Sequence, residues 1–296
     1  MSEIAVLMDR LARGEGLTET PLPGVRLHRR SEPIARCPLL YQQGLIIVGQ
    51  GAKRVHLGGQ TLLYDADHYL VLSVPLPVEC EAVVHPDEPL LSLTVDIDMS
   101  VLLGIIGQMD GAGEAAASGE NGVGACNCQG LALTTADAAF KEAVARLLRA
   151  LESPEESRVL GPGLVRELLF RAMHGEGAAS LCALAMKNTG LSRIDKALQR
   201  IHSEYSQPFH VEELAGCVNM STSAFHRAFK DVTSLSPIQY LKKVRLNKAK
   251  SMLVEEGVRA SDAARLVGYE SVSQFSREFK RYFGSSPARL PELHRV

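Results

Sequence analysis

Two ten-residue segments of the chain repeat the same cationic and hydroxyl side chains at the same spacing. They cover residues 221–230 and 271–280 and share Ser, Ser, Phe, Arg, Phe and Lys in register, fifty positions apart. A Ser-Pro pair recurs at the same interval, at residues 236–237 and 286–287. Arginine and lysine donate hydrogen bonds to anionic oxygens, and a guanidinium can hold two acceptors at once. The repeat therefore indicates two equivalent surfaces for binding a polyanion.

Each copy has the spacing of an amphipathic helix. Two phenylalanines lie four residues apart in both copies, so they share one helical face while the cations point elsewhere. A serine, Ser221 or Ser271, stands at the N-cap position. Upstream of each copy, Asn219 or Gly268 follows an alanine by four residues, and both types adopt left-handed turns readily. The pattern predicts two helix-turn-helix units.

A third helical stretch is predicted between the two units. Ser236 and Gln239 have the spacing of a capping box, with Pro237 at the first helical position. The helix is expected to run from about residue 237 to residue 256 and to carry five Lys and Arg residues. About 20 residues span about 30 Å, and the major groove of DNA recurs every 34 Å or so. The two units would thus reach successive groove faces.

Positions outside the repeat complete a known pattern. They are Met220, Tyr240, Leu241, Arg245, Leu246, Ala249, Gly268, Tyr269, Phe283 and Gly284. Together with the repeat, they resemble the DNA-binding domain of AraC/XylS-family transcription regulators over about a third of the chain. The resemblance implies sequence-specific binding to double-stranded promoter DNA, and favours activation through contact with RNA polymerase over repression.

The resemblance also implies roles for individual positions of the two recognition helices. The base-reading positions are Ser223, His226, Arg227, Val272, Ser273, Gln274 and Arg277. The phosphate-binding positions are Ser221, Thr222, Lys230, Ser271, Lys280 and Arg281. An arginine fork pairs with O6 and N7 of guanine, whereas phosphate contacts position the protein without specifying sequence. The alternative for Arg227 and Arg277 is a salt bridge within the protein or a phosphate contact, and Gln274 could either read adenine or contact only a phosphate. The four repeated phenylalanines are expected in the core.

Charge is distributed unevenly along the 296 residues. The net charge of the whole chain is −2, but residues 193–296 carry 17 Lys and Arg against 11 Asp and Glu. Residues 1–192 carry 15 against 23. Positive charge is thus concentrated where phosphate attraction requires it. The absence of a long apolar run and of a signal peptide leads us to expect a cytoplasmic protein.

The first half of the chain has the two-residue periodicity of strands. Leu91, Leu93 and Val95 alternate with polar residues, and further strands are predicted at residues 45–48, 53–57, 61–64, 69–74 and 78–84. Glycine and aspartate turns separate them. These strands predict a small antiparallel barrel or sandwich.

A second resemblance concerns this β-rich region. It is carried by Tyr41, Gln50, Gly51, Lys53, Arg54, Gly58, Tyr64, Asp65, Tyr69, Leu70 and residues 75–77. These residues look like the cupin-like sensing domain of one branch of the AraC group, and they imply an unidentified small-molecule effector. Helices are predicted from Asp137 to about residue 151 and from about Pro162 to residue 173. Family members often dimerise through such helices.

The expected fold class is therefore a two-domain protein. A mostly β cupin-like barrel with following helices, for effector sensing and dimerisation, is predicted over residues 1–175. Residues 176–191 are expected to be a linker, and residues 192–296 an all-α DNA-binding domain with two helix-turn-helix units joined by a long helix. A homodimer is consistent with this organisation.

Two other kinds of site were considered. His56, His68 and His85 fall in the barrel, where a metal-dependent cupin enzyme would gather its ligands, with the C-terminal domain serving protein association. No His-x-His pair is present, so we expect no metal, no cofactor and no catalytic residue. Cys126 and Cys128 lie in a glycine-rich segment and are either redox-sensing thiols or ordinary loop thiols. A redox-sensing thiol needs a lowered pKa, and no cationic residue lies close to them in sequence to lower it.

Overall fold

The computed structural model describes residues 1–85, 87–109, 130–186 and 188–290. The candidate thiols Cys126 and Cys128 lie outside the described residues. The N-terminal half begins with helix α1 (Glu3–Leu11) and continues with strands β1 (Gly16–Glu19), β2 (Val25–Arg30), β3 (Ile34–Tyr41), β4 (Gly44–Gln50), β5 (Ala52–Leu57), β6 (Gln60–Tyr64), β7 (His68–Leu72), β8 (Leu76–Val83) and β9 (Leu90–Asp96). Helix α2 (Met99–Ile106) and strand β10 (Leu131–Thr135) follow.

The strands form two antiparallel sheets. One sheet has the order β1-β2-β9-β4-β7-β10, and the other has the order β3-β8-β5-β6. Helix α1 contacts β2, β4 and β9, so it covers the outer face of the six-stranded sheet. The inner face of this sheet meets the four-stranded sheet, as the hydrogen bond from Lys53 Nζ to Ser92 Oγ across the two sheets shows. The predicted β-rich N-terminal domain is confirmed.

All six predicted strands are present, whereas four further strands were missed. Strand β3 contains Pro38, and its pairing with β8 shifts register between Ile34 and Cys37. Proline removes a ladder donor and is tolerated because β3 lies at the edge of its sheet. Strand β2 has only two buried apolar residues among His and Arg, so its sequence lacks the alternation of apolar and polar residues that predicts a strand. These strands form because of their partners rather than their own composition.

The helices after the sheets are α3 (Ala138–Leu151), α4 (Pro154–Val159), α5 (Gly161–Ala172) and α6 (Ala178–Ala185). The Asp137 side chain accepts a hydrogen bond from Phe140 N at 2.7 Å and caps α3 as predicted. The ring of Phe140 stacks on Tyr69 of β7 at 3.9 Å and joins the helical layer to the sheet. Helix α6 occupies much of the segment that was expected to be a linker.

The C-terminal helices are α7 (Gly190–Ser203), α8 (Val211–Cys217), α9 (Thr222–Thr233), α10 (Pro237–Val254), α11 (Ala260–Leu266) and α12 (Val272–Phe283). Both hydrogen bonds of the predicted capping box are present at the start of α10. The turn residues Asn219 and Gly268 have φ values of 53° and 82°, in the left-handed region predicted for them. Helices α8 and α9, like α11 and α12, therefore form the two expected helix-turn-helix units.

The two units differ in how they join the rest of the molecule. Buried residues of the first unit, including Phe225 and Phe229, belong to the same hydrophobic cluster as the sheets. Phe275 and Phe279 of the second unit belong to a separate cluster. Tyr240 of α10 donates a hydrogen bond from Oη to the Pro75 carbonyl oxygen at 2.7 Å. The first unit is thus fixed to the sheet domain.

A small polar network supports this interdomain contact. His202 Nε2 lies 2.8 Å from Tyr240 Oη. Because the tyrosine hydroxyl donates its own hydrogen bond to the Pro75 carbonyl oxygen, it accepts a hydrogen bond from His202 Nε2–H. Burial and the charge of Lys248 lower the pKa of His202 to about 4, so its ring is neutral near pH 7. Asp195 is buried nearby on α7, where burial raises its pKa to about 6 despite a hydrogen bond from Gln199.

The turn of the second unit makes a stability prediction. A Cβ atom at Gly268 would overlap the Ser206 carbonyl oxygen, and the residue has a positive φ. We expect Gly268→Ala to lower the free energy of unfolding by about 2 kcal/mol or more. Gly216→Ala, in open space within α8, is the matched control and should stabilise by about 0.5–1 kcal/mol. Denaturant titration measures both, and equal effects would contradict the packing.

The buried carboxyl of Asp195 makes a pH prediction. Its folded-state pKa of about 6 exceeds the reference value of 3.8, so the folded state binds the proton more tightly. Stability should therefore fall as pH rises from about 4 to about 6. We expect Asp195→Asn to raise the free energy of unfolding by about 1–3 kcal/mol near pH 8 and by less near pH 4.5. Asp231→Asn, at an exposed position on α9, should show no such pH-dependent gain.

Candidate nucleic-acid interface

The thirteen predicted DNA-contacting side chains are all exposed on the two recognition helices α9 and α12 or at their N-caps. The phenylalanines explain this orientation. Phe225 and Phe229 are fully buried on one face of α9, with ring centroids 5.5 Å apart. Phe275 and Phe279 occupy the same face of α12 at 5.4 Å. Because Arg227 and Arg277 lie midway between the paired rings, they project from the opposite face.

The N-terminal ends of both recognition helices are capped by the predicted serines. Ser221 Oγ accepts a hydrogen bond from Ala224 N at 3.4 Å, and Ser271 Oγ accepts one from Gln274 N at 3.3 Å. A cap uses an oxygen lone pair, so the hydroxyl proton can still be donated to a phosphate oxygen. The remaining amides and the helix dipole favour an anion at the same ends.

Arg227 and Arg277 make no ion pair or hydrogen bond with any residue that the structure describes. The alternative of a salt bridge within the protein is thus not supported for either. Arg245 of α10 differs, because its guanidinium donates to the carbonyl oxygens of Tyr205 at 2.6 Å, Gln207 at 2.8 Å and Gly268 at 3.1 Å. Arg245 therefore fixes the second unit, whereas the two exposed arginines are available to a ligand.

The lysines of α10 contact protein groups. The ammonium groups of Lys243, Lys248 and Lys250 lie 5.4–5.9 Å from the centres of aromatic rings. Lys242 forms an ion pair with Glu278 of α12 at 3.2 Å. Cation–ring contacts at this distance contribute about 0.5–1 kcal/mol each at exposed sites. These lysines help to hold the connecting helix against its neighbours.

Glu278 is a functional candidate that sequence reasoning missed. Its carboxylate accepts hydrogen bonds from Tyr269 Oη at 2.8 Å, Gln274 Nε2 at 3.3 Å and Lys242 Nζ at 3.2 Å. Burial alone would raise the pKa of Glu278, but these three donors hold it below its usual value. The first unit has alanine at the equivalent position, Ala228. An acidic residue that interrupts a cationic repeat was the available signal.

Two of the three candidate metal-ligating histidines, His56 and His68, are engaged with neighbouring side chains. His56 contacts Thr61 and Glu81, both at 2.9 Å, and His68 contacts Asp65 at 3.1 Å. Among the described residues, no group of three or more His, Cys, Asp or Glu side chains is arranged to hold a metal ion. A cleft of about 330 Å³ lies between the domains, lined by residues that include His56, Glu79 and Lys243.

Two protein-family models match the chain. A model described as the AraC-type transcriptional regulator N-terminus matches residues 21–180, more than half of the chain, and a helix-turn-helix domain model matches residues 214–292. The chain belongs to the AraC-type transcriptional regulators. This membership confirms the resemblance inferred from the repeat and argues against the alternative of a metal-dependent cupin enzyme.

Curated relatives of this AraC-type regulator are named as transcriptional regulators. The Msm operon regulatory protein of Streptococcus mutans is 29% identical over 33% of this chain and 35% of its own length. The transcriptional regulator AlkR of Acinetobacter baylyi is 36% identical over 32% of this chain and 31% of its own length. The transcriptional activator RhaS of Escherichia coli is 28% identical over 49% of this chain and 51% of its own length. The chain thus spans about a third to a half of these relatives.

Solved structures of ToxT from Vibrio cholerae share the fold over nearly the whole chain. A form with bound unsaturated fatty acid has a TM-score of 0.61 at 10% identity and covers 90% of this chain and 93% of ToxT. A second ToxT structure has a TM-score of 0.59 at 12% identity, with coverages of 92% and 97%. The similarity confirms the order of a β-rich domain followed by a helical domain. No helix in the described ranges is long and apolar enough to cross a membrane.

The Glu278 network of this regulator makes a specificity prediction. Glu278→Gln removes the ion pair with Lys242 and leaves one acceptor oxygen in place of two, which weakens the hold on Gln274, so we expect sequence preference at the second half-site to fall by about three- to tenfold. Binding to unrelated DNA should not weaken, because the change removes a negative charge. Competition mobility shifts with cognate and mutated half-sites measure both quantities.

Glu270→Gln is the matched control for this experiment. Glu270 is exposed just before α12, and its substitution changes the net charge by the same amount. Its sequence preference should stay within about twofold of the original protein. Equal loss of preference in both variants would show that charge, and not the position of Gln274, causes the effect.

Proposed function

We propose that this AraC-type regulator reads promoter DNA by placing the first turns of α9 and α12 in two successive major-groove faces. The base-reading set is Ser223, His226, Arg227, Val272, Ser273, Gln274 and Arg277. The phosphate-binding set is Ser221, Thr222, Lys230, Ser271, Lys280 and Arg281. The observation that carries the proposal is the pair of exposed arginines, Arg227 and Arg277, at equivalent positions of two capped helices and without a partner among the described residues.

The connecting helix supports a two-site reading of one DNA face. Helix α10 has 18 residues, which corresponds to about 27 Å at 1.5 Å per residue. Its N-terminus is fixed by the capping box, and Arg245 bonds it to the turn of the second unit. A stiff connector of this length suits two helices that enter grooves about 34 Å apart.

We further propose that the N-terminal domain binds a small-molecule effector and passes its occupancy to the DNA-binding units. The ToxT structure with bound unsaturated fatty acid supports an effector role for the shared fold. The bond from Tyr240 to Pro75 and the common hydrophobic cluster connect the sheets directly to the first unit. Any displacement of β8 on effector binding would therefore reach α10.

Three further parts of the proposal rest on family membership. RhaS is named a transcriptional activator, which supports activation through RNA polymerase here.

The helices after the sheets expose Val159 and Leu160, and they supply an apolar surface for a homodimer. Binding to promoter DNA requires the protein to work in the cytoplasm. Sedimentation with and without Leu160→Glu tests the dimer.

Arginine and lysine should contribute differently to DNA binding. We expect Arg277→Ala to reduce the preference for the cognate site over unrelated DNA by about 1–3 kcal/mol, because a bidentate guanine contact is lost. Lys280→Ala should weaken binding to all sequences and reduce the slope of log affinity against log salt by about one. Mobility shifts from about 50 to about 200 mM salt, on a site selected from a random DNA pool, measure both.

The control for these variants is Arg13→Ala, which removes an exposed arginine from the N-terminal domain. It should leave both affinity and preference unchanged. A salt response that is flat for the original protein, or an unchanged preference in Arg277→Ala, would contradict the proposed interface. Melting curves establish that each variant is folded.

A further inference from the structure

A cluster of cationic side chains lies between the two sheets of the N-terminal domain. In the β2–β9 ladder, His28 pairs with Ser92 and Arg30 pairs with Leu90, so all four side chains project from the same face. Lys53 of β5 reaches this face from the other sheet, and its Nζ lies 2.9 Å from Ser92 Oγ. Three nitrogen-bearing side chains thus converge from both sheets.

No direct ion pair compensates the charges of this cluster among the residues that the structure describes. Within the described ranges, neither Lys53 nor Arg30 forms an ion pair. Arg26, the preceding inward arginine of β2, shows the contrast, because its Nη1 lies 3.0 Å from an Asp96 oxygen. Glu15 is the acidic residue that acts on His28 and Arg30, but its carboxylate accepts hydrogen bonds from the backbone and hydroxyl of Ser31.

Two nitrogen atoms of the cluster lack any hydrogen-bond partner among the described residues. They are His28 Nδ1 and Arg30 Nε, and both are buried from solvent. Buried polar atoms normally have a hydrogen-bond partner, and a buried donor or acceptor without one costs about 1–3 kcal/mol. An anion at this face would offer acceptors to Arg30 Nε and to the Nδ1–H tautomer of His28, and its charge would offset the charges of Lys53 and Arg30.

Burial and mutual repulsion shift the pKa values of this cluster. Burial, with a contribution from the charge of Arg30, lowers the pKa of Lys53. Burial, followed by the charges of Lys53 and Arg30, lowers the pKa of His28 to about 4. These shifts have the sign expected for cations that are desolvated together without an anion. A bound anion would reverse both.

The surroundings of the cluster favour an organic anion. Tyr64 is the cross-strand partner of Lys53, and its hydroxyl lies 2.8 Å from that of Tyr41, which also contacts Cys80 Sγ at 3.0 Å. These polar groups satisfy one another and present mainly ring and thiol surface. Val55, also on the inner face of β5, is apolar and buried. A carboxylate with a small apolar body matches a cationic end and such walls better than inorganic phosphate does.

We propose that Lys53, with His28, Arg30 and Ser92, binds the carboxylate of a small organic acid between the two sheets, and that this acid is the effector. The inference rests on the proposed function, in which the N-terminal domain binds a small molecule. Lys53 supplies the charge, Arg30 and His28 supply further donors, and Ser92 orients the ammonium group. Strand β5 also pairs with β8, which follows the Pro75 contact of Tyr240, so the acid would act on the interdomain contact.

Calorimetric titration of the full chain with matched probes tests this site. The probes are butyrate and benzoate, their neutral amides butyramide and benzamide, and inorganic phosphate. We expect at least one acid to bind about tenfold or more tightly than its amide, and phosphate to bind more weakly than that acid. Failure of both acids to bind, binding of acid and amide with equal affinity, or binding of phosphate alone would overturn the proposal.

Substitutions at Lys53 locate the binding. Lys53→Met should weaken the affinity for the acid by about tenfold or more, and Lys53→Arg should retain the preference for acid over amide. Lys141→Met replaces the other lysine of residues 1–175, and its affinity for the acid should equal that of the original protein. Unweakened binding by Lys53→Met would overturn the assignment. If Lys53→Met does not fold, loss of the acid–amide difference in Lys53→Arg has the same force.

A mobility shift on the same samples separates this proposal from the proposed function. Lys53→Met should bind DNA as the original protein does when no acid is present, because Lys53 lies in the other domain. In the original protein, normal DNA binding together with no acid binding would refute the anion site and leave the DNA-binding function intact. Acid binding without DNA binding would do the reverse.

Discussion

Burial of two phenylalanines one helical turn apart orients each recognition helix, and the rest of the interface depends on it. Each fully buried ring contributes about 1.5–3 kcal/mol, so a recognition helix cannot rotate about its axis without exposing one. Phe225 packs on Phe229, Phe229 packs on Tyr240, and Phe275 packs on Tyr269. With that face fixed, Arg227 and Arg277 have only solvent or a ligand on their side. The capping serines then set where each helix begins.

The two helix-turn-helix units use this arrangement in different settings. The first shares its hydrophobic cluster with the sheets, and Tyr240 of the following helix α10 bonds to the Pro75 carbonyl oxygen beside β8. The second has its own cluster and is connected to α10 through Arg245, Lys242 and Glu278. In the proposed function, the first unit would therefore connect DNA to the N-terminal domain, whereas the second has a more extensive polar network next to its proposed base-reading residues.

The sequence was sufficient where structure is determined locally. The N-caps, the capping box at Ser236, the left-handed turns at Asn219 and Gly268 and the outward arginines follow from residue type and spacing within one or two helical turns. It was insufficient where partners are distant. Strand β3 forms by pairing with β8. Glu278 is bonded to Lys242, thirty-six residues away, and Lys53 contacts Ser92 of the other sheet. Periodicity contains no information on which distant strands face one another.

Methylation interference at guanine N7 tests the paired-arginine account most directly, because arginine forks contact that atom. On a site selected from random DNA, the account predicts two clusters of interfering guanines on one face of the duplex, about one helical turn of 10 base pairs apart. Arg227→Ala should remove one cluster and Arg277→Ala the other. A single cluster, or two clusters that both survive these substitutions, would contradict it.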